Sequence, residues 1–284
     1  MALKIASAAE SQPGPGIEIH EDFVDRMEAV QNVNGEAKSL LLYLVADGEG
    51  SASGYQVKDE NGNKKPVYTP GAIAVMHIRN YISRCFTDDP EMVLEHPASI
   101  LKQAFMYAND VLAAWRTAKP ELYGQFSTCV AAALYCEGIL TIANTGNTRV
   151  SLLRIKKDNT LLFQTLTKDM TEGQALVDSG NLGQLDYYLS DTKTKLTSCL
   201  GPLKNPEIQI IRGFRPKKND VILLTTKGIH FAIRPDVIVD IITNGKCDSC
   251  EDVVKALVEA ATIEKYPDNM SAFMLWFVED GEGT

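Results

Sequence analysis

Leu40-Leu41-Leu42-Tyr43-Leu44-Val45-Ala46-Asp47-Gly48-Glu49-Gly50 is an unbroken apolar run that ends in a carboxylate beside glycines. Rich in residues that suit strands and stopped by Gly, the run reads as a buried β-strand. Asp47 falls where such a strand would end. Gly48 and Gly50 remove side chains beside it, so the backbone can approach an ion or a phosphate closely. A carboxylate next to a free carbonyl suits a hard cation such as Mg²⁺ or Mn²⁺. The same residues also read simply as a strand followed by an Asp-Gly turn.

Around this run, 284 residues that are 45% hydrophobic can bury a large core. A net charge of −9, from 37 acidic and 28 basic residues, argues against sequence-independent nucleic-acid binding, which needs a basic face. No apolar run reaches the roughly 18–20 residues of a membrane span. The N-terminal residues Met1 to Ala6 lack the apolar stretch of a signal peptide. The expectation is a soluble cytoplasmic protein that binds neither membrane nor nucleic acid. Six scattered cysteines read as reduced thiols. Cys247-Asp248-Ser249-Cys250 is a lone C-x-x-C with no further zinc ligands close in sequence.

In chain order, a short strand from Leu3, a turn at Gln12–Gly16 and a second strand Ile17–His20 are expected, with Glu21-Asp22 at its end. Asn34-Gly35 marks a hairpin. Residues 51–70 read as a mobile polar surface loop. Two long amphipathic helices follow, over about 71–86 and 98–117, the first with Thr69 as N-cap and Pro70 at its first position. Strands at 127–135, 139–144, 148–155 and 161–166 read as an antiparallel meander. A weak helical signal covers 174–179, and 180–194 reads as irregular. Strands at 207–213 and 220–226, helices at 235–244 and 250–264 and a final strand at 271–278 complete an α+β pattern.

Several segments recur in a known order: His20-Glu21-Asp22; Asp47-Gly48-Glu49-Gly50-Ser51; Gln125-Phe126-Ser127-Thr128-Cys129; Ala143-Asn144-Thr145-Gly146-Asn147-Thr148-Arg149; Leu166-Thr167-Lys168-Asp169-Met170; Leu196-Thr197-Ser198-Cys199-Leu200-Gly201; Leu223-Leu224-Thr225-Thr226-Lys227-Gly228; and Asp268-Asn269-Met270-Ser271. In this series the chain resembles the metal-dependent protein phosphatases of the PPM, or type-2C, class over nearly its whole length. The resemblance implies one catalytic domain over residues 1–284, an α-β-β-α sandwich of two antiparallel sheets flanked by helices. It also implies two Mn²⁺ or Mg²⁺ ions that activate a water against a phosphoserine or phosphothreonine ester. By the same resemblance Asp47 bridges the two metals. Glu21 and the Gly48 carbonyl hold one metal, and Asp268 holds the other. Asp22 and Asn269 support them.

The departures fall on the chemistry. The position of a metal-binding Asp is Lys227, whose ammonium repels a divalent ion but can sit in the vacated place and pair with Asp47 and Asp268. The phosphate-gripping Arg is Ile17, which leaves no bidentate clamp. Glu49 follows Asp-Gly where His or Met is common, and Asn147-Thr148 replaces Asp-Ser. At most one ion is expected, on the Asp47–Gly48–Glu21 side. Two functions stand: a metal-dependent phosphatase with an altered site acting on phosphoproteins, or an inactive pseudophosphatase that binds a protein partner in signalling.

Overall fold

The computed structural model describes residues 3–50, 56–58, 64–66, 68–156, 158, 160–244, 247 and 249–279. The apolar run around Leu42 has no polar face, so both of its sides have to be covered. Leu40, Leu42, Leu44 and Ala46 pack against helices, while Tyr43 and Val45 pack against a second sheet. The strands are β1 (Leu3–Gln12), β2 (Phe23–Val33), β3 (Glu36–Glu49), β4 (Gln56–Lys58), β5 (Lys64–Pro66), β6 (Ser127–Cys136), β7 (Ile139–Thr145), β8 (Arg149–Ile155), β9 (Leu161–Thr165), β10 (Gln209–Phe214), β11 (Val221–Thr225) and β12 (Met270–Glu279). The helices are α1 (Pro70–Asp88), α2 (Pro90–Glu95), α3 (Pro97–Ala118), α4 (Pro120–Tyr123), α5 (Glu172–Asp178), α6 (Gln184–Leu189), α7 (Lys227–His230), α8 (Pro235–Thr243) and α9 (Cys250–Ile263).

Two five-stranded sheets, in the orders β1-β12-β11-β8-β9 and β10-β7-β6-β3-β2, lie face to face with every named pairing antiparallel. Helices α1 and α3 cover the outer face of the β3 sheet through Ile73, Ile78, Leu101 and Phe105. Helices α8 and α9 cover the other sheet through Ile238, Val253, Val254 and Leu257. A third apolar layer, including Val45, Ile142, Leu224 and Phe273, fills the space between the sheets. The result is the expected α-β-β-α sandwich. Thr69 caps α1 by accepting from the Ala72 N–H at 3.3 Å, with Pro70 in its first turn, a cap worth about 1 kcal/mol.

Four expectations change. Ile17–His20 is not a strand: Gln12 ends β1, Ile17 N–H donates back to the Gly14 carbonyl at 3.0 Å, and Glu21-Asp22 precedes β2 instead of ending a strand. The missed strand β2 pairs along all eleven of its residues with β3. The meander breaks after Thr145: β6 and β7 belong to one sheet, while β8 crosses to the other and pairs with β11. Gly146, at φ +81°, makes that turn with its α-carbon against Cys129. The irregular 180–194 stretch contains α6, whose Tyr187 is fully buried. Within the expected 51–70 loop, β4 and β5 pair as a short hairpin; the rest of that expectation falls largely on residues outside the described ones.

Two glycines press on the backbone that carries Asp268 and Asn269. A Cβ on Gly14 would lie 1.8 Å from the Asp268 carbonyl oxygen, and one on Gly228 would lie 1.9 Å from that of Asn269. Both distances are far inside contact, and both obstacles are backbone. Gly228→Ala is therefore expected to cost about 2–4 kcal/mol in urea unfolding. A loss below about 0.5 kcal/mol would contradict this packing account.

Candidate functional site

One side chain gathers the acidic residues. Lys227 opens α7, directly after β11, and its Nζ lies 2.6 Å from Asp47 Oδ1 and 3.0 Å from Asp268 Oδ2. Its backbone N–H also approaches Asp47 Oδ2 at 3.4 Å. Asp47 belongs to β3 of one sheet and Asp268 precedes β12 of the other, so the ammonium ties the two sheets together. Asp47 sits inside β3, opposite Cys129, and not at the strand's end. Burial alone pushes the Lys227 pKa down, but the carboxylates of Asp47, Asp268 and Asp22 outweigh it and hold the pKa well above the ordinary lysine value.

Beneath this centre lies Asp22, 3% exposed. Its Oδ2 accepts from the hydroxyls of Thr226 and Ser271, each at 2.8 Å, while Oδ1 has no hydrogen-bond partner among the described residues. Burial, with Asp47 adding to it, drives the Asp22 carboxyl well above its usual range. Ser271 Oγ continues to Ser11 Oγ at 2.6 Å, and Ser11 to His20 Nε2 at 3.0 Å. Asn269 holds the Ile19 carbonyl through its Nδ2 at 3.4 Å. Sequence reading named Asp22 and Asn269 but missed Ser11, Thr226 and Ser271. Hydroxyl residues at strand ends are common, and their convergence depends on pairings between strands remote in sequence.

A second buried cluster borders the first. Arg149 forms a fork on Asp169, with Nε to Oδ1 at 2.9 Å and Nη2 to Oδ2 at 2.6 Å, and the Tyr187 hydroxyl donates to Oδ2 at 2.6 Å. This pins α6 to the start of β8. His230, on α7 behind Lys227, contacts Thr225 Oγ1 through Nδ1 at 2.9 Å. Burial, then Arg149 and Lys227, keeps its pKa well below the ordinary value, so the ring is neutral.

The fit of these residues to divalent metal ions is poor. The ammonium of Lys227 fills the place between Asp47 and Asp268 that a cation would share, and both Asp47 oxygens already face Lys227 donors. The space opened by Gly48 is filled by protein: a Cβ there would lie 2.6 Å from the Glu21 carbonyl oxygen and 3.0 Å from Gly71 N. Among the described residues, no three His, Cys, Asp or Glu side chains converge as a metal cluster. Ile17 is aliphatic and cannot clamp a phosphate. Glu49 is exposed and lines a crevice of about 20 Å³ shared with Asp47, Asn147 and Lys227.

Removing the ammonium leaves Asp47 and Asp268 facing each other. Lys227→Met is expected to destabilise by about 3 kcal/mol, and Asp47→Asn in the same chain to restore most of that, as measured by denaturant midpoints. Equal losses in the single and double variants would show that the pair does not carry the effect. The Asp268 carboxyl is pushed up to about 6, by burial first; Lys227 pulls it back and Asp47 raises it again. A folded value above the ordinary 3.8 means that this group's contribution is complete below about pH 4 and is lost as pH rises through 6. The stability difference between wild type and Asp268→Asn should therefore shrink from pH 4 to pH 6. A flat or growing difference would refute the shift.

No protein-family model matches the chain, and no curated protein sequence does. Solved structures do. The S. agalactiae serine/threonine phosphatase superposes with a TM-score of 0.74 at 16% identity, over 97% of this chain and 100% of that one. The catalytic domain of the serine/threonine phosphatase PstP, in complex with two manganese ions, gives 0.69 at 22%, over 98% and 100%. The PPM Ser-Thr phosphatase MsPP from Mycobacterium smegmatis, in complex with cacodylate, gives 0.69 at 20%, over 95% and 97%. The chain has the fold of the PPM serine/threonine phosphatases.

Proposed function

We propose that this chain is a phosphatase-fold module that does not hydrolyse phosphate esters by metal catalysis and works by binding a protein partner. The observation that carries this is the position of the Lys227 ammonium, 2.6 Å from Asp47 and 3.0 Å from Asp268. PPM chemistry rests on paired divalent ions that make a water nucleophilic near neutral pH. Here a fixed monovalent charge stands between those carboxylates. An ammonium donates hydrogen bonds but supplies no open coordination position for water. A phosphate dianion finds no guanidinium at Ile17, and around the single ammonium it meets Asp47 and Asp268, which repel it. A protein partner recognised by surface shape is the better fit, in keeping with a regulatory role. The competing function, a phosphatase with one weakly held ion on the Asp47–Gly48–Glu21 side, is less well supported, because Asp47 already faces two Lys227 donors.

Hydrolysis of p-nitrophenyl phosphate and of a phosphothreonine peptide with Mn²⁺ separates the two. Wild type is expected to stay at background, Lys227→Asp to gain measurable turnover, and Ile17→Arg added to Lys227→Asp to gain more. Wild-type turnover in the ordinary enzyme range, about 1–10³ s⁻¹, would overturn the proposal.

A further inference from the structure

The two large sheets end in four edge strands, β1, β9, β10 and β2. An open edge offers unpaired N–H and C=O groups to another chain, and proteins blunt such edges with short strands or bulges. Strand β9 has five residues, and β10 breaks register between Ile211 and Phe214. The middle of β1 is Ala6-Ser7-Ala8-Ala9, which gives an added strand little side chain to pack on. Strand β2 is neither short nor bulged: its eleven residues pair with β3 without a register shift. Among the described residues, no backbone group outside that ladder bonds to it. The Arg26 N–H turns to the open edge, where it donates to Asp25 Oδ1 at 2.8 Å. By alternation the backbone groups of Val24, Glu28 and Val30 point the same way.

Side chains alternate as well. Met27 and Ala29 pack on the α1 side, which leaves Val24, Arg26, Glu28 and Val30 on the opposite face. Arg26 and Glu28 are exposed, and Val30 is 58% exposed. Among the described residues neither charge closes an ion pair. Turned end for end, this face is its own complement: Val24 falls opposite Val30, and Arg26 opposite Glu28. We infer that β2 is a self-pairing edge, on which a second copy of this chain adds its own β2 antiparallel, about a two-fold axis at Met27. The pairing makes one continuous sheet of the two copies and closes an Arg26–Glu28 pair on each side of the axis. The charges also fix the register. Sliding the partner by two residues either way sets Arg26 against Arg26 or Glu28 against Glu28. Phe23, beside Asp22, lies about 14 Å from the axis along the strand, so the two Lys227 centres lie toward opposite ends. The inference is independent of the function proposed for that centre.

Sedimentation velocity on the full chain, from about 5 to about 500 μM, should show a monomer–dimer equilibrium that weakens as salt rises. Arg26→Glu sets carboxylate against carboxylate in both facing pairs, and Glu28→Arg sets guanidinium against guanidinium. Each is expected to weaken the dimer at least tenfold. Mixed in equal amounts, the two single variants should form a heterodimer at least as well as the wild type pairs with itself, because each offers only the charge that the other lacks. In the wild type, amide exchange at Val24, Glu28 and Val30 should slow as concentration rises, a readout that needs no variant. The inference is overturned by a chain that stays monomeric over that range, by a dimer that both single variants keep, by mixed variants that stay apart, or by exchange in β2 that does not respond to concentration.

Discussion

Much of the site depends on one ammonium. Lys227 Nζ stands 2.6 Å from Asp47 and 3.0 Å from Asp268, and these carboxylates come from different sheets. Without a cation between them, two carboxylates brought this close repel, and burial amplifies the repulsion. A metal ion is one answer to that constraint; a lysine built into the chain is another, and it needs nothing from solution. The two answers are not chemically equal. An ammonium compensates charge and donates hydrogen bonds, whereas a divalent ion also binds and acidifies water.

The rest of the centre follows from the same shortage of positive charge. Three carboxyl groups, Asp22, Asp47 and Asp268, share one lysine. Asp22, the deepest, is held by the neutral hydroxyls of Thr226 and Ser271, and burial favours its protonated form. Asp268, nearer the surface, is raised only to about 6. The Lys227 charge is shared by Asp47 and Asp268, one on each sheet, while Asp22 relies on neutral hydroxyl donors. The polar network through Ser271, Ser11 and His20 then carries the hydrogen bonding across β1 and β12 to the edge of the sheet.

What the sequence revealed depended on how local each signal was. The β3 run, the Thr69-Pro70 start of α1, the Asn34-Gly35 hairpin and the 3.6-residue spacing of α3 are written in adjacent residues, and all appear in the structure. The Lys227 contacts with Asp47 and Asp268 were legible only through the resemblance to the PPM phosphatases, which implies that these three remote segments meet. Strand β2 was missed because Phe23–Val33 mixes Asp25, Arg26 and Glu28 into an edge strand whose partner is what makes it a strand. The change of sheet between β7 and β8 was hidden because a tight turn at Gly146 looks the same in sequence whether the chain returns to its own sheet or leaves it. The glycine at position 48 was read as room for an ion, but what it admits is the Glu21 carbonyl, a contact that no local pattern encodes.

If Lys227 stands in for a metal, the folded state gains nothing from divalent ions. The most direct measurement is the thermal midpoint of the purified wild-type protein after EDTA treatment and across a titration of Mn²⁺ into the millimolar range. A ligand that binds only the folded state at 100 times its dissociation constant adds about 2.7 kcal/mol. The account predicts no saturable change in midpoint between the EDTA-treated and Mn²⁺-supplemented protein. A saturable rise with Mn²⁺, reversed by EDTA, would contradict it.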